Sequence, residues 1–229
     1  MINVIVKPNA IELPAGAVVR VPGTWQDYQA MLEHLGDRTS PRIKYRNGEL
    51  LLMVPLPEHG KQLDIIVDMV KVLLRHQGLR FDSYHETTMD LPEHSGVIPD
   101  HFFYIGELPV VGKRRIDRRW VRELLPPQEA RSLCDWSSDA PPNLAIECDI
   151  TSFTSVNDYL PYRVSELWII RRQKIEIYQF QDERYIQVQQ SQFFGGFDLN
   201  AIFSECIADA YKFGSGAIDK LSDRYPRQR

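Results

Sequence analysis

The 229-residue chain carries 31 acidic and 27 basic residues, for a formal net charge of -4, and 43% of it is hydrophobic. That content supports a substantial core. The acidic balance excludes a protein that coats nucleic acid nonspecifically, because phosphate neutralisation supplies most of that affinity. Cys134, Cys148 and Cys206 are widely spaced and form no Cys-x-x-Cys pair, which excludes a disulfide framework and a structural zinc site.

The run Met1-Ile2-Asn3-Val4-Ile5-Val6-Lys7-Pro8 has no basic region before it, and no segment approaches the roughly 18 apolar residues of a membrane span. A cytoplasmic protein with no membrane contact is expected. Residues 17–21 read as a short strand. Thr24 with Asp27 has the spacing of a capping box, opening a helix that runs to Leu35 and stops at Gly36. Asn47-Gly48, set between Arg42-Ile43-Lys44-Tyr45-Arg46 and Glu49-Leu50-Leu51-Leu52-Met53-Val54, predicts a hairpin. Over 58–76 the residues Leu63, Ile66, Val67, Val70, Leu73 and Leu74 recur at intervals of three and four. That is an amphipathic helix ended by Gly78, and it should pack on the sheet.

Strands are expected near 80–84 and 88–91, then over 97–105. Residues 106–142 break the rhythm with a basic stretch and the pairs Pro126-Pro127 and Pro141-Pro142, and read as an inserted excursion carrying one or two helices. A strand over 143–150 is followed by a short helix or turn at 156–164 and a strand at 166–170. A hairpin then joins 174–180 to 184–190 through Gln181-Asp182-Glu183. A final helix covers about 200–213, and the polar end 219–229 is expected to fray. With no repeat and no linker-like stretch, a single domain over 1–229 is expected.

Two apolar runs carry acid: Val97-Ile98-Pro99-Asp100 leading into His101-Phe102-Phe103-Tyr104-Ile105, and Asn143-Leu144-Ala145-Ile146-Glu147-Cys148-Asp149-Ile150. A buried carboxylate is costly unless it is paired or binds a cation. The two-residue period of a strand puts Glu147 and Asp149 on one face, with Ile146 and Cys148 on the other. If the Asp100 strand lies alongside, three carboxylates converge. Such hard oxygens suit Mg²⁺ and metal-assisted phosphodiester cleavage. Salt bridges or helix caps at strand ends are the alternative.

Glu86, in His85-Glu86-Thr87-Thr88, stands just before the Asp100 strand and could join the acids, or be a solvated strand end. Glu49 follows a hairpin turn, where an exposed acid is common. Glu58 and His59 open a helix, a place the dipole favours for Glu. His94 and His101 flank Asp100 without His-x-x-x-His spacing, so zinc is not indicated. The dense cationic run Lys113-Arg114-Arg115-Ile116-Asp117-Arg118-Arg119-Trp120-Val121-Arg122 reads either as a phosphate-contacting surface, with Trp120 stacking on a base, or as a solvated helix face.

Taken in order, several segments resemble the large bacterial family of restriction-endonuclease-like proteins within the PD-(D/E)XK nuclease superfamily. They are Thr24-Trp25-Gln26-Asp27-Tyr28, Tyr45-Arg46-Asn47-Gly48-Glu49-Leu50 with Met53, Pro57-Glu58-His59-Gly60, Pro99-Asp100 and Leu144-Ala145-Ile146-Glu147. Val164-Ser165-Glu166-Leu167-Trp168-Ile169-Ile170 and Phe194-Gly195-Gly196-Phe197-Asp198-Leu199 with Ile202-Phe203 complete the series. The resemblance runs over about 24–203. It implies an α/β restriction-endonuclease-like core, a mixed central β-sheet flanked by helices, with β-hairpins besides. It also implies a site for Mg²⁺ or Mn²⁺ on Asp100 and Glu147, and it brings His59 and Glu49 forward as site residues.

In the superfamily a lysine two residues after the second acid positions or activates the attacking water, and in this family it often comes from the segment that follows. Here Asp149 takes that place, and residues 151–162 contain no lysine or arginine. Losing such a cation removes an electrostatic stabiliser worth a few kcal/mol. Arg163, Lys174 or Lys61 could substitute in space, or Asp149 could be a further ligand. The resemblance therefore implies a Mg²⁺-dependent endonuclease that hydrolyses DNA phosphodiester bonds by a metal-activated water; the cationic run itself offers Lys113, Arg114, Arg115, Arg118 and Arg119 as candidate DNA contacts. The missing lysine and the acidic balance keep an alternative open: a catalytically inactive nuclease-fold protein acting as a nucleic-acid-binding or assembly module. A homodimer is expected on base rates, since double-strand cutting needs two sites.

Overall fold

The computed structural model describes residues 5–7, 10–36, 40–54, 56–85, 87–108, 136, 140–150 and 154–227. In chain order the elements are β1 (Ile5–Lys7), β2 (Ala10–Glu12), β3 (Val18–Pro22), α1 (Trp25–Leu35), β4 (Arg42–Arg46), β5 (Glu49–Met53), α2 (Pro57–His76), β6 (Phe81–His85), β7 (Met89–Leu91) and β8 (Ser95–Val97). They continue with β9 (His101–Ile105), β10 (Leu144–Asp149), β11 (Glu166–Arg171), β12 (Lys174–Gln181), β13 (Arg184–Val188), α3 (Leu199–Phe213) and α4 (Asp219–Arg224). Short 3-10 turns occupy Val156–Asp158, Leu160–Tyr162 and Ser215–Ile218. The fold is mixed α/β, as expected. The chain divides into two compact units, residues 1–55, 86–99 and 109–141 in the first, and 56–85, 100–108 and 142–229 in the second.

The first unit holds a five-stranded sheet in the order β3-β5-β4-β8-β7, and the pair β1-β2. The capping box forms as the spacing predicts: Asp27 N–H donates to Thr24 Oγ1 at 3.1 Å, and Thr24 N–H donates to the Asp27 carboxylate at 2.8 Å. Such a cap stabilises a helix by about 1 kcal/mol. α1 then buries Trp25, Tyr28 and Leu32 against Ile43, Tyr45 and Leu50. Gly96 is required there, because a Cβ would come within 2.4 Å of the Tyr28 ring. Tyr28 O–H in turn donates to Asp90 at 2.9 Å.

The second unit holds a six-stranded mixed sheet in the order β13-β12-β11-β10-β9-β6. β10 and β11 run parallel and are buried almost throughout, which explains their continuous apolar sequences. One face of the sheet, with Ile146, Cys148, Trp168 and Ile170, packs on Ile66, Met69 and Leu73 of α2 and on Phe203 of α3. Each such apolar side chain, fully buried, contributes roughly 1.5–3 kcal/mol. Cys148 thus faces the core.

Two expectations need amendment, and one strand pair was not foreseen. Residues 97–105 are not one strand: β8 pairs with β4 and β7 in the first unit, while β9 pairs with β6 and β10 in the second. Pro99, with no N–H to give a ladder and a steric bias on Ile98, stands at the break. The polar end carries α4 with Leu221 buried in place of a frayed tail. β1 and β2 carried no pattern that announced them. Most of the expected excursion at 106–142 lies outside the described residues.

Candidate functional site

All the geometry that follows lies in the second unit. The antiparallel β9–β10 ladder pairs Phe103 with Leu144, Phe102 with Ala145 and His101 with Ile146. Asp100 immediately precedes β9, and Glu147 is the residue after Ile146 on β10. Both are buried, at 1% and 3% exposure. Asp100 Oδ2 accepts a hydrogen bond from Cys148 N–H at 2.7 Å and lies 3.0 Å from His59 Nε2. An ionised Asp100 makes Nε2–H the donor. His59 reaches it from the first turn of α2, which Pro57 opens.

Glu147 Oε1 accepts from Tyr159 O–H at 2.5 Å. Tyr159 sits between the two 3-10 turns, the first of which begins with a capping box between Ser155 and Asp158. Burial, and then the neighbouring Glu147 charge, hold the Tyr159 pKa well above that of an ordinary phenol. It therefore stays a donor.

Asp149 is held differently. It accepts from Thr154 N–H at 2.7 Å and Thr154 O–H at 2.8 Å, and Arg171 lies against it with Nη2 at 3.0 Å and Nε at 3.1 Å. The parallel register makes the two residues direct partners. Arg171 also donates to Glu176 at 2.7 Å and to Thr154 C=O at 2.6 Å. Burial opposes its charge, but Asp149 and Glu176 more than offset that and raise its pKa above the usual arginine value.

Two buried carboxylates next to the end of the β9–β10 ladder supply hard oxygens, the donor set Mg²⁺ accepts when water and phosphate fill its other positions. The residues fit a divalent cation. Among the described residues no group of three or more His, Cys, Asp or Glu side chains could hold a metal ion, so any cation here would rest on two carboxylates and water. Beyond Asp149 a cleft of about 860 Å³ opens, lined by Gln62, Arg171, Arg172, Lys174 and Gln187, among others.

The structure thus joins His59 to Asp100 by a hydrogen bond, sets Glu147 on β10 one residue past the last β9–β10 ladder pair, and places Asp149 two residues further on in an ion pair. Glu49 is exposed at the start of β5, in the first unit. Glu86 and the run Lys113, Arg114, Arg115, Arg118 and Arg119 lie outside the described residues. Of the lysine substitutes, Arg163 pairs with exposed Glu183, Lys61 sits over the Tyr211 ring and Lys174 lines the cleft. Tyr159 and Arg171 went unnoticed in the sequence. Arg171 had a signal, a cation closing an apolar strand just as Asp149 closes its neighbour; Tyr159 had none. Among the described residues no helix is long and apolar enough to cross a membrane.

A model of the family Uma2, described as "Putative restriction endonuclease", matches residues 25–208. No curated protein matches the chain. Among solved structures, a protein from Anabaena variabilis ATCC 29413 described as a putative nuclease belonging to DUF820 is 15% identical, over 80% of this chain and 99% of that one, with a TM-score of 0.47.

Proposed function

The chain belongs to the Uma2 family, and on that premise we propose that the β9–β10 pair is a divalent-cation centre for hydrolysing DNA phosphodiester bonds. The observation that carries this is two buried carboxylates just past the last β9–β10 ladder pair, His101 with Ile146: Asp100, preceding β9, and Glu147 on β10. They would hold Mg²⁺ or Mn²⁺. Bound there, such a cation supplies Lewis acidity and positive charge to a scissile phosphate. His59 and the Cys148 amide fix the orientation of Asp100, as outer partners of a metal-binding carboxylate do. Tyr159 does the same for Glu147. Asp149 occupies the lysine position with its charge answered by Arg171.

That ion pair also favours a second reading, a binding or assembly module that does not cut, because Arg171 is committed to two carboxylates. The two are separated by incubating the protein with supercoiled plasmid and single-stranded DNA in Mg²⁺, in Mn²⁺ and in chelator, beside Asp100→Asn. Metal-dependent nicking that disappears in the variant supports the nuclease. Turnover that survives in Asp100→Asn removes the site assignment, and no turnover under any condition leaves the binding module.

A further inference from the structure

Several cations of the second unit are already engaged. Arg171 is tied to Asp149 and Glu176, Arg163 to Glu183, Lys220 to Asp209 and Arg224 to Glu205. Arg172 and Lys174 are exposed and have no ion pair or ring contact among the described residues. Both line the cleft beyond Asp149. Its charged lining is two acids, Asp149 and Glu176, against three cations, Arg171, Arg172 and Lys174, a surplus of one positive charge. Arg171 pairs with both acids but offsets only one of their two charges, so the surplus positive charge comes from Arg172 and Lys174.

These two residues stand on a fixed platform. Arg172 and Gln173 both have positive φ, 49° and 60°, the backbone of a two-residue hairpin turn between β11 and β12. Immediately after it, Ile175 N–H donates to Asn200 Oδ1 at 2.8 Å and Ile175 C=O accepts from Asn200 Nδ2 at 3.2 Å, pinning the hairpin to the first turn of α3. Arg171 locks the other side. Cations held on an ordered frame lose little freedom when an anion binds.

The cleft also adjoins the carboxylate pair. Asp149 is two residues beyond Glu147, about 7 Å along the strand at the usual rise. Gln62, on the other wall, is three residues beyond His59 and therefore on the same side of α2. A volume of about 860 Å³ lies within the range of ligand sites.

We propose that this cleft is a phosphate subsite that holds a nucleic-acid strand beside the bond to be cut, with Arg172 and Lys174 as its phosphate contacts and Gln62 and Gln187 as its amide donors. The inference rests on the nuclease reading of the Asp100–Glu147 pair and adds the path of the backbone. It assigns phosphate binding to residues other than the cationic run at 113–122.

The test uses fluorescein-labelled single-stranded and duplex DNA, with anisotropy read at several salt concentrations in chelator so that cutting cannot intervene. The double variant Arg172→Gln/Lys174→Gln is compared with the native chain and with Lys212→Gln as a charge control. Two lost phosphate contacts should reduce the slope of log K against log salt by about 1.8 on duplex or about 1.4 on single strands, with the larger loss of affinity marking the form bound. Lys212→Gln should leave the slope unchanged on that form. An unchanged slope in the double variant, or no DNA binding by the native chain, overturns the subsite. Plasmid cleavage measured in parallel keeps the two readings apart. Cleavage with an unchanged salt slope leaves the nuclease and removes the subsite, whereas a reduced slope with no cleavage in any metal keeps the subsite and removes the nuclease.

Discussion

Glu147 and Asp149 lie two residues apart on one strand, and their surroundings differ in kind. The contacts described for Glu147 and Asp100 come from a phenol, a backbone amide and an imidazole. Asp149 meets a guanidinium and the amide and hydroxyl of Thr154. Burying a carboxylate is tolerable when its charge is answered, and only at Asp149 does an arginine answer it among these contacts. Among the contacts described for Glu147 and Asp100, the phenol and the amide orient a carboxylate, and the imidazole pairs with Asp100 as a cation only when protonated. That is the environment a cation exploits. On the proposed function, then, one acid of the strand serves the architecture and its neighbour would serve the chemistry.

The largest effect should come from removing charge at the open end. Asp100→Asn keeps an acceptor for Cys148 N–H and loses the anion. Metal-dependent nicking is expected to fall by more than about a hundredfold, since even outer partners of metal ligands cost about ten- to a hundredfold. Thermal unfolding should show a midpoint equal to or above that of the native chain, because a buried charge is gone. A variant that cuts normally would erase the difference between the two acids. At the closed end the signs reverse. Arg171→Met strands the Asp149 charge and should cost about 3–5 kcal/mol in urea unfolding, most of it recovered in Arg171→Met/Asp149→Asn. If Arg171→Met is neutral, Asp149 is not the architectural acid.

His59→Gln sharpens the contrast at an intermediate scale. Mn²⁺ affinity measured by calorimetry should drop by about ten- to a hundredfold, with urea stability little changed because His59 lies at a helix start.

Much of this division could be read from residues, and some could not. The antiparallel neighbours β9 and β10 were suggested by two apolar runs that each carry acid, and the two-residue period sends Cys148 to the core. His59 was suggested by resemblance to a family, not by periodicity, since a Glu-His at a helix start has an ordinary electrostatic reason to be there. The Asp149–Arg171 pair required knowing that β10 and β11 are parallel and in which register, because a shift of one residue would send Arg171 to the other face. Residues 97–105 looked like one strand because each part is apolar; which sheet each half joins depends on partners distant in sequence. Tyr159 was invisible, being delivered by consecutive 3-10 turns that impose no period on the chain.

That residue gives the subtlest test. Tyr159→Phe removes one hydrogen bond to Glu147 and leaves the ring packed. A hydrogen bond to a charged group contributes about 1.5–3 kcal/mol, part of which solvent returns if it reaches the carboxylate. Metal affinity should fall by less than in His59→Gln, because Glu147 keeps its place on β10. The pH dependence of stability distinguishes this from a packing defect. Tyr159 has a folded pKa well above the ordinary value of about 10, so the fold favours the neutral phenol. Its contribution is complete below pH 10 and is lost as pH rises towards the folded value. The native chain should therefore lose stability more steeply above pH 10 than Tyr159→Phe, and the two curves should run parallel below it. Parallel curves throughout would mean that Tyr159 ionises as an exposed phenol does, and the orienting role assigned to it at Glu147 would fall.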